Sequence, residues 1–376
     1  MKITIIGTAY PLRGGIAHYN ALLAEALSKR HEVETITFKR QYPSLLFPGK
    51  TQEETGEGAH AAPAPQLIDS LNPLNWITVG SLIRRRAPDL VIFKYWIPFF
   101  GPCFGTIARS ARKNSRSRVI CICDNILPHE RRPLDVALTR YAFRAVDGFI
   151  VQSDAVEHDL NRFWKGAKYR NVPHPVYTIF GQPIDKEKAR NALGITSPRV
   201  LLFFGYIRKY KGLDVLFDAV ARLPRDLGIQ VIVAGEFYDD PRGYRQQLRT
   251  LQIEDRVTLR SDYLPNSEVP TYFSAADAVV LPYRSATQSG IAQIAYNFNT
   301  PVIASDVGGL SEVVRDDFTG LIVPPGDPEA LARAIVRFYQ SGKEPIYREH
   351  VQQEKLKYSW QNLVHNIEEL TVSISR

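Results

Sequence analysis

Short apolar runs recur along the chain, and between them apolar residues fall at helical spacing. "KITIIG" reads as a first strand. "GGIAHYNALLAEALSKR" follows it with Ile16, Leu22, Leu23, Ala26 and Leu27 on one helical face. "HEVETITF" alternates as a half-buried strand does. "DLVIFKYW", "RVICICD" and "DGFIVQS" are the unbroken apolar runs of strands buried on both faces, with helical stretches between them. Residues 40–65 show no period, are rich in Pro and Gly, and predict a long loop.

The pattern breaks at "RNVPHPVYTIFGQPI", Arg170 to Ile184, where three prolines and a glycine predict a linker. It then restarts with the strand "RVLLFFGYI", the helix "GLDVLFDAVARL", the strand "IQVIVAGE", the helix "YRQQLRTLQI" and the strand "VTLRSDYL". "NSEVPTYFSAA" predicts a helix, "AVVLPY" a strand, "GIAQIAYNF" a helix, and "PVIAS" and "GLIVPP" strands. Asp327, Pro328 and Glu329 then give a strong helix start: a capping carboxylate, proline in the first turn and an acid behind it. Strand–helix alternation on both sides of a linker predicts an α/β protein of two doubly wound, Rossmann-like parallel-sheet domains facing across a cleft. The expected division is residues 1–170 plus 358–376, closed by the amphipathic tail "SWQNLVHNIEEL", and residues 171–357.

The chain's 376 residues suit two such domains, and 44% hydrophobic with 23% charged residues is a globular composition. Cys103, Cys121 and Cys123 make no disulfide framework. Cys121 and Cys123 share one strand face, which fits a two-ligand metal site or, more simply, small buried hydrophobes in a reduced compartment. The N-terminal apolar run is too short for a signal peptide, and no window reaches the eighteen apolar residues of a membrane span. A cytoplasmic location is expected. The net charge of +8 is uneven: residues 1–180 hold 24 Lys and Arg against 15 Asp and Glu, while the remainder is near neutral. Arg84 to Arg86, "RSARKNSRSR" and Arg131-Arg132 carry the excess. Solvated helix ends explain it, and so does peripheral binding to an anionic membrane. No recognition helix, finger or RNP-like motif accompanies the charge, so nucleic acid is not an expected partner.

Four segments carry candidate chemistry. Gly14 and Gly15 open the first helix and would let backbone N–H groups approach an anion, although the spacing from Gly7 is not the dinucleotide fingerprint. Arg208, Lys209 and Lys211 fall in the turn after the first strand of the second domain, where cations would offset charge on a leaving diphosphate. Asp124 ends a strand, and His129, Glu130, Arg131 and Arg132 follow. No zinc-type spacing and no hydrolase elbow occur. The fourth segment is "PYRSATQSGIAQIAYNFNTPVIASDVGG", Pro282 to Gly309. Between Tyr283 and Asp306 it holds Arg284 and no acid.

"TPVIASDVGGLSEVV" and "DDFTGLIVPPGDPEALARAI" reproduce an ordered block: Pro301 to Ser305, Gly308-Gly309, Glu312, and Thr319 to Ala332. With "VTLRSDYL" and "AADAVVLPY", this resembles the retaining glycosyltransferase family 4 with its two-domain GT-B fold, over nearly the whole chain. The resemblance implies sugar transfer from a nucleotide-sugar donor to a glycan or lipid-linked acceptor, with retained anomeric configuration, no cofactor and no obligatory metal. It implies a diphosphate role for Lys211 and places Tyr206 where the family has an arginine, with Arg208 as substitute. Asp262, Tyr263 and Leu264 match the segment that meets the base, and Gly15 matches the N-terminal glycine loop.

Two departures stand out. Cys123-Asp124-Asn125 replaces the family's histidine-containing pair, so either Asp124 or His129 fills that role. The family's two glutamates fall at Ile294 and at Ala286 or Thr287. Gln288, Ser289 and the amides of Gly290 and Ile291 are expected to serve in their place, with Gln293 directed at the ribose. Two readings follow: a retaining hexosyltransferase, or a GT-B protein that binds a nucleotide-sugar with weakened catalysis. A nicotinamide dehydrogenase fits the α/β alternation only.

Overall fold

A computed structural model describes residues 1–43, 53, 64–128, 132–238, 240–261 and 264–375. The chain divides into two compact units: Met1–Pro175 with Ser359–Arg376, and Val176–Tyr358. The first boundary falls inside the proline-rich stretch.

In the first unit the chain forms β1 (Lys2–Ile6), α1 (Gly15–Ser28), β2 (Glu32–Arg40), β3 (Gln66–Asp69), α2 (Pro73–Arg86), β4 (Leu90–Tyr95) and α3 (Gly101–Arg112). There follow β5 (Arg118–Cys123), α4 (Asp135–Phe143), β6 (Gly148–Val151), α5 (Asp154–Phe163) and β7 (Tyr169–Asn171). The seven strands are parallel in the order β3-β2-β1-β4-β5-β6-β7. β4, β5 and β6 are buried along nearly their whole length, which is why their sequences do not alternate. Two elements escape the sequence pattern. β3 is four residues long, and β7 is a three-residue edge strand at the start of the expected linker. Neither is long enough to show a period.

The second unit contains α6 (Lys186–Leu193), β8 (Arg199–Phe204), α7 (Leu213–Arg222), β9 (Ile229–Ala234), α8 (Pro241–Leu251), β10 (Val257–Arg260) and α9 (Val269–Ala275). It continues with β11 (Ala278–Leu281), α10 (Gly290–Asn297), β12 (Val302–Ser305), α11 (Leu310–Val313), β13 (Gly320–Val323), α12 (Pro328–Gln340) and α13 (Glu344–Glu354). Its six strands are parallel in the order β10-β9-β8-β11-β12-β13. The cap of α12 forms as its sequence predicts, with Asp327 Oδ1 accepting from Ala330 N at 2.8 Å. α14 (Trp360–Ser375) belongs to the first unit, where Leu370 packs against Gly148 so closely that a Cβ there would lie 3.2 Å away.

Strand order decides where a ligand can bind. In each sheet the direction of winding reverses once, between β1 and β4 in the first and between β8 and β11 in the second. Crossover connections leave in opposite directions there and open a crevice at the carboxyl ends of those strands.

Candidate active site

The turns after β8 and β11 meet at the switch point of the second unit through backbone contacts that exclude side chains. Gly212 has φ 67°, and a Cβ there would lie 2.0 Å from the carbonyl oxygen of Pro282. Arg284 N donates to Tyr210 O at 2.7 Å. The paired glycines of the family-like block have the same use. Gly308 has φ 49°, a Cβ on it would lie 1.8 Å from Ala286 O, and Gly309 N donates to Thr287 O at 3.0 Å. Three loops are thereby fixed around one crevice.

Lys211 lies at the centre of this arrangement. It is 7% exposed, and a Cβ on Gly205 would lie 3.3 Å from its Nζ and 3.1 Å from Ile291 Cδ1. The ammonium group therefore stands over a side-chain-free backbone and beside the first turn of α10. No carboxylate among the described residues pairs with it. Burial, reinforced by the Arg208 charge, lowers its pKa from 10.5 to about 7. Arg208 is exposed and lies over the Tyr238 ring at 4.8 Å, and Tyr238 in turn packs on Tyr206 with ring centroids 4.5 Å apart. A buried cation with no counter-charge, a second cation nearby and a glycine turn suit a bound anion. Another cation of the region, Arg284, is committed to the fold by an ion pair with Asp214.

α10 begins at Gly290 with Ser289 as its N-cap, and no acidic residue stands in its first turn. Ser289 Oγ lies 3.5 Å from Tyr283 OH instead of capping the helix. A Cβ on Gly290 would lie 3.1 Å from Tyr177 Cε2. The structure thus brings Tyr206, Arg208, Lys211, Ser289, Gly290 and Ile291 to one switch point, and half-buried Gln288 directly precedes the N-cap. Gln293 is 1% exposed, and its Oε1 and Nε2 find no partner among the described residues. Leu264 is half-buried beyond the end of β10. Asp262, Tyr263 and His129 lie outside the described residues.

The first unit places a different group at its own switch point. Gly14, at φ 110°, precedes the first residue of α1, Gly15, and Asn20 Nδ2 donates to Thr8 O at 2.9 Å across the turn. Asp124, after β5, is held by Lys94 of β4, whose Nζ lies 2.5 Å from Asp124 Oδ1. Lys94 also donates to Gln152 Oε1 at 3.0 Å and sits 3.5 Å from the centroid of the Tyr19 ring. Gln152 Nε2 donates to Tyr19 OH at 2.9 Å, and the Tyr19 ring meets His174 and Trp360 edge-on. His174 is buried, and its pKa falls from 6.5 to about 3 through desolvation and the Lys94 charge. Sequence reasoning reached Asp124 but missed Lys94. A lysine inside the apolar run "DLVIFKYW" was the available signal. Cys121 and Cys123 are buried, with their Sγ atoms 3.7 Å apart as free thiols.

Residues 198–341 match the family described as "Glycosyl transferases group 1", and residues 14–176 match the "Glycosyl transferase 4-like domain". The chain belongs to the group 1 glycosyl transferases. A D-inositol 3-phosphate glycosyltransferase of Catenulispora acidiphila is 33% identical over 280 residues, covering 70% of this chain and 66% of that protein. The enzyme of the same name from Mycobacterium marinum is 32% identical over 229 residues, 57% of this chain and 48% of that one. The matches therefore span about half to two-thirds of the length of these relatives. Among solved structures, Anabaena HepE in complex with UDP superposes with a TM-score of 0.78 at 19% identity, covering 99% of this chain and 100% of that one. Sucrose-phosphate synthase from Thermosynechococcus elongatus gives 0.71 at 21% identity over 99% and 97%. These likenesses carry the GT-B fold. Within that fold, this glycosyl transferase has buried Ile294 where the family resemblance placed one glutamate, and buried Ala286 or half-buried Thr287 where it placed the other.

Proposed function

We propose that the protein is a retaining glycosyltransferase that moves a hexose from a nucleotide-sugar to a glycan or lipid-linked acceptor, as in cell-envelope or exopolysaccharide assembly, without an obligatory metal. The observation that carries this reading is Lys211: a buried, uncompensated ammonium over Gly205, with Arg208 in the same turn. The donor diphosphate supplies the missing negative charge. As the sugar–phosphate bond breaks, charge builds on the leaving diphosphate, and Lys211, Arg208 and the N-terminal amides of α10 stabilise it. Arg208 is exposed and lies over the Tyr238 ring, from which it can approach the leaving group. No protein nucleophile is assigned. The acceptor hydroxyl attacks on the face that the diphosphate leaves, and a diphosphate oxygen takes its proton. Asp124, oriented by Lys94, is the candidate partner for a sugar hydroxyl. Anabaena HepE is known in complex with UDP and with UDP-glucose, which supports a donor of this class.

The absence of an acid at Ile294 and at Ala286 or Thr287 favours a second reading, a sugar-nucleotide-binding protein with weak turnover. One experiment separates the two: incubation with UDP-, GDP- and ADP-sugars and candidate acceptors, following nucleotide release, with calorimetry in parallel. Release that Lys211→Ala abolishes supports transfer. Donor binding without release for any acceptor supports the second reading. No binding at all, with Lys211→Ala indistinguishable from the parent, removes both.

A further inference from the structure

The helices α2, α3 and α4 follow β3, β4 and β5 and form one tightly packed layer of the first unit. A Cβ on Gly80 would lie 2.6 Å from Ser110 Cβ, one on Gly101 2.4 Å from Leu138 O, and one on Gly105 2.9 Å from Tyr141 Cδ1. Helices this close present a continuous outer face. That face exposes large apolar side chains: Leu74 at 75%, Leu134 at 66% and Ile77 at 53%. It also exposes Arg84, Arg85, Lys113, Arg140 and Arg144, none of which pairs with a carboxylate among the described residues. α2 and α3 contain no Asp or Glu at all. The acids that border the layer are already engaged: Glu34 with Arg86, Asp89 with Arg116, and Asp147 with Arg112.

We propose that this α2–α3–α4 face docks on an anionic lipid surface. A helix face that is merely solvated mixes charges of both signs, often as i,i+4 pairs, and α2 has none. Scattered exposed apolar residues need no explanation. Here Leu74 and Ile77 share one exposed stripe of α2 with Arg84 and Arg85, the composition of an interfacial amphipathic surface. A nucleic acid would account for the arginines but not for the leucines and isoleucine. Direction adds a second point. Each helix follows a parallel strand, so its first turns lie at the carboxyl edge of the sheet. The apolar residues belong to those first turns, at the edge that carries the Gly14 turn and Asp124, and the arginines belong to the far ends. Docking therefore brings that edge to the bilayer, where a lipid-linked acceptor would be presented. Only this last consequence rests on the transferase reading.

The test is sedimentation of the full chain with vesicles of phosphatidylcholine alone or with about a third phosphatidylglycerol, in low salt and without donor. We expect binding to the anionic vesicles only. Attraction of roughly fivefold per surface cation predicts a loss above about 20-fold in Arg84→Glu/Arg85→Glu. Leu74→Ser/Ile77→Ser should lose about tenfold and leave only binding that salt removes. Both pairs are exposed, so melting temperatures should stay within a few degrees of the parent. Absence of binding to anionic vesicles overturns the proposal, as does binding that neither double variant weakens. Self-association that Leu74→Ser/Ile77→Ser abolishes, without vesicle binding, assigns the face to a second copy and also overturns it. Nucleotide-sugar binding, read without vesicles, reports on the transferase reading separately.

Discussion

Lys94 and Lys211 are both buried lysines near the carboxyl end of a parallel sheet, each at the switch point of its own unit. Burial lowers the pKa of both. Their surroundings differ in one respect. Lys94 has Asp124 as counter-ion, Gln152 as acceptor and the Tyr19 ring as a face for its charge. Lys211 also has a ring nearby, Tyr283 with its centroid 5.8 Å from Nζ, but its other neighbours are a second cation, Arg208, and bare backbone at Gly205. One site is complete within the protein, and the other lacks an anion among the described residues. The same residue type in the same kind of place thus has its charge satisfied by side chains in the first unit and is the proposed donor-binding group in the second. The distinction follows from what neutralises the charge, not from burial.

The largest expected effect comes from breaking the complete site. Lys94→Met leaves the Asp124 carboxylate without its cation, and removing one partner of a buried pair costs roughly 3–5 kcal/mol. Lys94→Met/Asp124→Leu, which removes both charges, should regain most of that in urea melts. If the single variant is as stable as the parent, Lys94 is not held as described.

Lys211→Ala should show the opposite profile. It removes an uncompensated buried cation, so the fold should be as stable or more so. It also removes the group proposed to face the donor diphosphate, and kcat/KM should fall about 100-fold, the scale of losing one preorganised charge stabiliser. A variant that is destabilised yet catalytically intact would erase the contrast with Lys94.

The contrast was half legible in the sequence. Both doubly wound sheets followed from apolar runs and a proline-rich break, because strands buried on both faces write themselves as such runs. Lys211 was legible because it stands in a turn after a strand among other cations, and Asp124 because it ends one. The pairing of Asp124 with Lys94 was not, since β4 and β5 become neighbours only through the sheet order. The role of Arg284 was hidden for the same reason. Its partner Asp214 is distant in sequence and reaches it only where the β8 and β11 turns meet. β3 and β7 were too short to carry a period.

A smaller effect distinguishes the two lysines by pH. Below about pH 7 Lys211 holds its proton before the donor arrives. Above that pH the free protein is neutral there, and a bound diphosphate must draw a proton in. Donor affinity should therefore be flat below pH 7 and decline by up to about tenfold per pH unit above it. Calorimetry in buffers of different ionisation enthalpy should register proton uptake. The stability term has its own sign. Because the folded pKa lies below 10.5, the unfolded chain binds more protons between about pH 7 and 10.5. The Lys211 contribution to stability accordingly rises through that window, and below pH 7 the full cost of the buried charge applies. Lys211→Arg keeps its charge at every pH used and should flatten both profiles. A pH-independent parent would mean that Lys211 already has a counter-charge.

The smallest expected effect concerns the segment without acids. If the incomplete site is completed by the donor, the groups around Lys211 must hold a sugar with neutral donors and acceptors, because neither Ile294 nor Ala286 or Thr287 offers a carboxylate. Gln288, directly before the Ser289 cap of α10, is the side chain we propose for this. One neutral hydrogen bond is worth about 1 kcal/mol, so Gln288→Ala should raise the donor KM or lower kcat by about fivefold. Gln288→Glu separates sugar recognition from charge. A carboxylate that reaches Lys211 would supply the missing counter-ion, raise its pKa and compete with the diphosphate, so donor affinity should fall and its dependence on pH should shift upward. A carboxylate that instead takes a sugar hydroxyl should leave that dependence unchanged and improve kcat/KM. If both variants match the parent enzyme, Gln288 does not touch the sugar, and backbone amides alone must hold it.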